Sequence, residues 1–188
     1  FMASEGTRYA LPLEKPLHIF IGQPIDEQPP LPPTNGSWLD IVSWSLKLRY
    51  WARQASSEQD GPTPDTRIFL RYFDPQTSPA LGHSIGLQEG MIGIVNGYAN
   101  RRQEGSNNFV IPHEVMHTLG ATDKYGPNNQ PIFPEGYAEP ELRPTHPQLY
   151  AELMGVRIPL STKDAEMPDS LKQTRIGSAT AREIAWFD

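Results

Sequence analysis

No cysteine occurs among the 188 residues. Disulfides are therefore excluded, and so are the cysteine-rich ligand sets that build closed structural zinc sites. The absence leaves the compartment open, because the cytosol and export without oxidative folding both accommodate it. No apolar run approaches the roughly 18 residues needed to span a bilayer. The net charge is −6 and no basic stripe interrupts it, which argues against nucleic acid as a partner. No signal-peptide pattern is visible, and the chain opens on Phe1, so a processed chain or a piece of something longer is expected. No internal repeat and no second domain boundary can be seen, so residues 1–188 are expected to form one domain around one sizeable core.

Proline, by contrast, is abundant. Twenty are present, roughly twice the usual share of about 5%. They cluster from Pro12 to Pro33, from Pro62 to Pro64 and from Pro127 to Pro168. Apolar periodic segments lie between the clusters, which describes stiff loops joining ordered elements. Leu17 to Ile21 predicts a strand. Ser37 predicts a helix N-cap, with Asp40 completing a capping box. A long helix follows from Trp38 to Arg53, with Trp38, Ile41, Val42, Ser45, Leu48 and Ala52 on its core face. Residues 68–73 and 91–98 read as strands, a helix is expected to start near Pro112 and run to Ala121, and a closing helix is expected from Ala179 to Phe187. The pattern alone gives an α+β fold.

The chemistry is concentrated in His113-Glu114-Val115-Met116-His117-Thr118-Leu119-Gly120-Ala121-Thr122-Asp123. On a helix, His113 and His117 lie about 40° apart around the axis and roughly 6 Å along it. Both imidazoles can then reach one metal ion at about 2.0–2.1 Å. Glu114 is turned by about 100° from His113. It is off the ligand face but can still reach a hydrolytic water as general base. A third ligand at Asp123 requires the helix to stop first. Gly120 suits the stop, because glycine readily takes the left-handed conformation found just beyond helix ends. Three protein ligands and one open position make a catalytic zinc site. A chance match in an ordinary helix is the alternative, and the offsets of Gly120 and Asp123 weigh against it.

These eleven residues resemble the metzincin clan of zinc endopeptidases, in the variant whose third ligand is aspartate. The resemblance implies a zincin-like α+β fold: a twisted mixed sheet, a long backing helix, an active-site helix, and an irregular C-terminal half with a closing helix. It also implies a Met-turn beneath the zinc. Ala151-Glu152-Leu153-Met154-Gly155 is the candidate for it, with Met154 preferred to Met91 and Met167. By the same resemblance, strand 91–98 lines the cleft, and Gly93, Ile94 and Val95 pair with an extended peptide substrate. Gly93 and Gly97 would admit a close backbone or mark a bend. Thr122-Asp123-Lys124-Tyr125 and the Ala-Glu-Leu-Met segment are also similar to the metallopeptidase domain that ends some VgrG-type spike proteins of bacterial type VI secretion. That likeness implies a peptide or protein substrate, an immunity or inhibitor protein as partner, and a toxin secreted or delivered into a target cell or its periplasm.

Several positions stay open. Glu152 rivals Asp123 as third ligand, since another zincin class uses a glutamate well downstream, and Glu135, Glu139 and Glu141 are further acids within reach in sequence. If it is not a ligand, Glu152 is expected to hold the turn or a ligand imidazole. Val156 stands where the family has tyrosine, so Tyr125, Tyr137 or Tyr150 would have to supply an oxyanion-stabilising hydroxyl, unless each is simply packed. His18 is expected to pack within its strand, while His83 and His146 fall in loops. Three functions fit: a zinc endopeptidase, a zinc amidase acting on peptidoglycan peptides, and a non-catalytic zinc-containing binding module. The presence of Glu114 argues against the last.

Overall fold

Two hydrophobic cores, with one helix wedged between them, organise the chain. The structure is a computed structural model and describes residues 1–11, 18–34 and 36–187. Its elements are α+β. Four helices are present among the described residues: α1 (Met2–Arg8), α2 (Trp38–Ser57), α3 (Glu104–Thr118) and α4 (Ser178–Glu183). Strands β1 (Arg67–Phe73), β2 (Ile85–Leu87) and β3 (Ile92–Tyr98) form a mixed sheet in the order β1-β3-β2. The two-residue strands β4 (Ala151–Glu152), β5 (Ile158–Pro159), β6 (Ala165–Glu166) and β7 (Thr174–Arg175) pair as β4–β7 and β5–β6. None of these helices is long and apolar enough to cross a membrane.

The first core lies between α2 and one face of the sheet. Leu48, Trp51, Ala52 and Ala55 meet Ile92 and Ile94, and Phe69 sets its ring 4.6 Å from that of Trp51. The helix starts as its sequence predicts: Ser37 N donates to Asp40 Oδ2 at 2.7 Å, and Asp40 N donates back to Ser37 Oγ. Its predicted core face holds only from Leu48 onward. Trp38 is 70% exposed, and Ile41 and Val42 are exposed as well. The periodicity was that of an amphipathic helix, but the apolar side chains of the sheet meet only its second half.

The second core gathers Phe109 and Met116 of α3 with Ala121, Leu153, Met154, Ile176 and Ala181. Phe1, Met2 and Tyr9 bring α1 onto it. Thus α3 carries the seam, with one flank in this core and the other on the sheet.

Three expectations are corrected. Leu17 lies outside the described residues, and His18 to Ile21 is exposed and forms no strand. Gln23 N, anchored on Gln59 Oε1, and Ile25, packed at the first core, tie down the chain only beyond that point. The metal helix begins at Glu104, with Pro112 inside it. Asn107 accounts for the earlier start: its side chain accepts from Tyr98 N and donates to Tyr98 O, pinning the first turns of the helix to the end of β3. The closing helix ends at Glu183, well short of Phe187.

The predicted rim strand also changes role. β3 pairs with β1 in parallel and with β2 antiparallel, so Gly93, Ile94 and Val95 have no free edge to offer a substrate. Among the described residues, β2 is the edge strand on its side of the sheet. Gly97 faces Asn107 and lets α3 lie close on the sheet, whereas a methyl group at Gly93 would first meet the Ile68 side chain of β1. Gly86 of β2 is tighter still, since a methyl group there would collide with His117 Cβ and approach the Glu114 carbonyl to 2.6 Å. Gly86→Ala is expected to destabilise the fold by about 1–3 kcal/mol, the usual range for overpacking. Gly82→Ala, whose methyl would meet nothing nearer than Asn96 Nδ2 at 3.8 Å, should be near neutral. Urea unfolding of both variants checks this, and equal midpoints would refute the close seating of α3.

Candidate metal centre

α3 stops where the motif needs it to. Gly120 takes φ +104°, its N–H donates to His117 O at 3.1 Å, and Ala121 N donates to Met116 O at 3.0 Å. This pair of bonds is a Schellman cap, which requires a left-handed residue at Gly120. The chain then reverses, and Asp123 returns to the face carrying the histidines.

The two imidazoles are oriented by backbone carbonyls. His113 Nδ1 lies 3.0 Å from Leu153 O, and His117 Nδ1 lies 2.9 Å from Ala121 O. A carbonyl only accepts, so each Nδ1 carries the proton and each Nε2 is turned toward the site. Both Nε2 atoms stand 3.3 Å from Asp123 Oδ1. Donors held about 2.0–2.1 Å from a shared zinc at tetrahedral angles stand roughly 3.3–3.4 Å apart. Two imidazole nitrogens and a carboxylate oxygen are also a donor set that zinc accepts. His113, His117 and Asp123 therefore form a group that could hold a metal ion, their donor atoms all lying within 4.8 Å of one another.

Electrostatics couple the group. For Asp123, burial pushes the carboxyl pKa up, but His113 and His117 outweigh it and hold the group far below the ordinary carboxylate range. For His117, burial pulls down, and Asp123 with the Ala121 carbonyl more than offsets it, so the imidazole is raised. Glu114 is raised by burial, against the pull of both histidines. It is buried, and among the described residues its Oε2 has no hydrogen-bond partner. Leaving a buried acceptor unpaired costs on the order of 1–3 kcal/mol, and more for a charged group, unless a proton or a bound molecule meets it.

Of the rival acids, Glu152 is the last residue of β4 and is fully buried. Its Oε2 accepts from Met154 N at 2.6 Å and Gly155 N at 2.8 Å. Its Oε1 accepts from Gly177 N at 3.0 Å and Thr180 Oγ1 at 2.7 Å. Burial pushes this carboxyl up and the four donors pull it back. Glu152 thus shapes the turn whose Leu153 carbonyl orients His113, and Met154 packs beneath, fully buried. Met91 sits in the β2–β3 turn and Met167 is exposed. Glu135 and Glu141 are exposed, and Glu139 lies on a separate groove with Arg8 and Tyr9.

Among the tyrosines, Tyr125 is the one at the site. Its ring stands 6.5 Å from that of His113, and burial with the Asp123 charge raises its hydroxyl pKa. Tyr137 is bonded to His146 at 3.0 Å, and Tyr150 lies under the Arg175 guanidinium. His18 and His83 are exposed. Sequence reasoning missed the two orienting carbonyls and the Lys124–Glu183 pair. Nothing local signals them, since Glu183 lies 61 residues from its partner Thr122. Beside the site, a groove of about 320 Å³ runs between β2 and the end of α3, lined by Leu87, Gln88, His117, Gly120 and Thr122.

Glu152→Gln replaces two acceptor sites with an amide that faces backbone donors. It is expected to destabilise the metal-free protein by about 3 kcal/mol in urea unfolding. Below its unfolding range the variant should still bind metal. Loss of metal with unchanged stability would instead make Glu152 a ligand. No family model matches the chain, and neither a curated protein nor a solved structure matches it.

Proposed function

We propose that the protein is a zinc-dependent hydrolase of peptide bonds. One observation carries the reading: Glu114 Oε2, a buried carboxylate oxygen without a partner among the described residues, feels the charges of His113, His117 and Asp123, a group that could hold a metal ion. A binding module has no use for that arrangement, whereas a general base does. A zinc ion held by His113 Nε2, His117 Nε2 and Asp123 would supply Lewis-acid polarisation of a carbonyl and raise the acidity of water. Glu114 Oε2 takes the proton from the attacking water and passes it to the leaving amine nitrogen. Burial, which raises this carboxyl, makes it the stronger proton acceptor for the first of these steps. The Leu153 and Ala121 carbonyls keep both Nδ1 positions protonated, so neither imidazole competes as the base. The Tyr125 hydroxyl, on a ring 6.5 Å from that of His113, would donate to an oxyanion, and burial favours its protonated form.

An extended peptide is the favoured substrate, because β2 pairs only with β3 among the described residues and packs through Gly86 on His117. Strand addition there would lay a peptide backbone along the site. A peptidoglycan amidase would use the same chemistry on a branched substrate, for which a strand edge offers less.

The wild type should hold one zinc per chain by metal analysis, and His113→Ala should lose it. Glu114→Gln should keep zinc and lose about 10²–10⁴-fold in turnover on a peptide library. Full activity in Glu114→Gln would end the assignment, and cleavage of muropeptides but not of linear peptides would turn it to the amidase.

A further inference from the structure

We propose that Glu183, the last residue of α4, is a positioning residue for the third metal ligand, clamping residues 121–124 so that Asp123 meets the two imidazoles. The inference rests on the zinc hydrolase proposed above. Asp123 is itself half-exposed. Its two neighbours in the chain are tied to one carboxylate. Glu183 Oε2 accepts from Thr122 N at 2.9 Å and from Lys124 Nζ at 2.6 Å, and Oε1 accepts from Thr122 Oγ1 at 2.9 Å.

Lys124 closes the ring. Its ammonium is buried and also donates to Thr122 O and Thr122 Oγ1, each at 2.8 Å. A buried ammonium is stable only when paired, so the Lys124 side chain is committed to this carboxylate. The Lys124 backbone N–H donates to Met154 O at 2.8 Å, which joins the clamp to the turn that orients His113.

The alternatives for this loop are few. Beyond the cap at Gly120 there is no helix or strand ladder to define where Asp123 points. The residues before and after it are both bonded to Glu183. A metal ligand must sit within about 0.2 Å of its proper distance, so a small swing of the loop removes it. Glu183 therefore acts through the backbone on either side of the ligand, without touching the metal.

The test measures zinc affinity by competition with a coloured chelator, on proteins shown to be folded at the assay temperature. Glu183→Gln should bind zinc about 10- to 100-fold more weakly. Its cobalt-substituted form should show an altered visible spectrum. Glu183→Asp, which keeps the charge, should recover part of the loss. Leu48→Ala, in the other core, should lower the melting temperature while leaving affinity within about twofold, as distant sites behave independently. Should Glu183→Gln fail to fold, Thr122→Val removes the two bonds made by the Thr122 hydroxyl and should weaken zinc several-fold. Hydrogen exchange at Thr122 N–H in the metal-free protein reads the clamp alone and should speed up at least tenfold in Glu183→Gln. Wild-type zinc affinity in a folded Glu183→Gln, or an equal loss in Leu48→Ala, overturns the positioning role. A wild type that binds no zinc, yet whose Thr122 protection depends on Glu183, overturns the hydrolase instead and leaves the clamp a purely structural device.

Discussion

Leu153 O and Ala121 O accept from the Nδ1 atoms of His113 and His117, and the geometry of the site descends from those two bonds. An imidazole can present either nitrogen, and the partner of one decides what the other can do. Each carbonyl is set by a different device. Leu153 belongs to a turn drawn tight by Glu152, whose oxygen takes the amides of Met154 and Gly155. Ala121 follows the helix cap at Gly120, where a side chain would strain the backbone. A buried carboxylate and a left-handed glycine thus aim both imidazoles.

The position of α3 follows from its two flanks. On one side, the glycines of β2 and β3 let it lie against the sheet with almost no spacing, so Glu114 is desolvated between helix and sheet. On the other, Phe109 and Met116 are held by the second core. The helix cannot rotate without exposing one flank or colliding on the other. The face that remains carries the buried His113 and the half-buried His117, and Asp123 returns to it from beyond the cap. Close seating on the sheet also raises the Glu114 pKa, so packing and proton chemistry share one cause.

The site was legible in the sequence wherever a local rule was enough. His113 and His117 at helical spacing, Gly120 as the stop and Ser37 as a cap each depend on nearest neighbours along the chain. Long-range partners were not legible. Nothing near Trp38, Ile41 or Val42 reveals that the sheet will reach only as far as Leu48. The start of α3 at Glu104 depends on Asn107 meeting Tyr98, and the role of β3 depends on which strands flank it. Glu152 stood as the alternative to Asp123 until the chain was folded. One is brought to the imidazoles, and the other has both oxygens occupied in a turn.

The proline-rich C-terminal half has a consistent physical logic. Proline supplies no N–H and interrupts ladders, and the strands after α3 are only two residues long. Buried backbone donors still need acceptors. Side chains provide them here. Glu152 serves three amides and a hydroxyl, and Glu5 takes Ile176 N together with Arg8 and Arg175. Gln148 bridges Glu139 and Thr145. Glu183 is the member of this set that lies against the metal loop. A region braced by polar side chains is specific but brittle, because removing one acceptor strands several donors at once. A bound zinc would add a further cross-link between α3 and Asp123 at the edge of that region. Metal binding and the rigidity of the irregular half should therefore be coupled, each helping to hold the other in place.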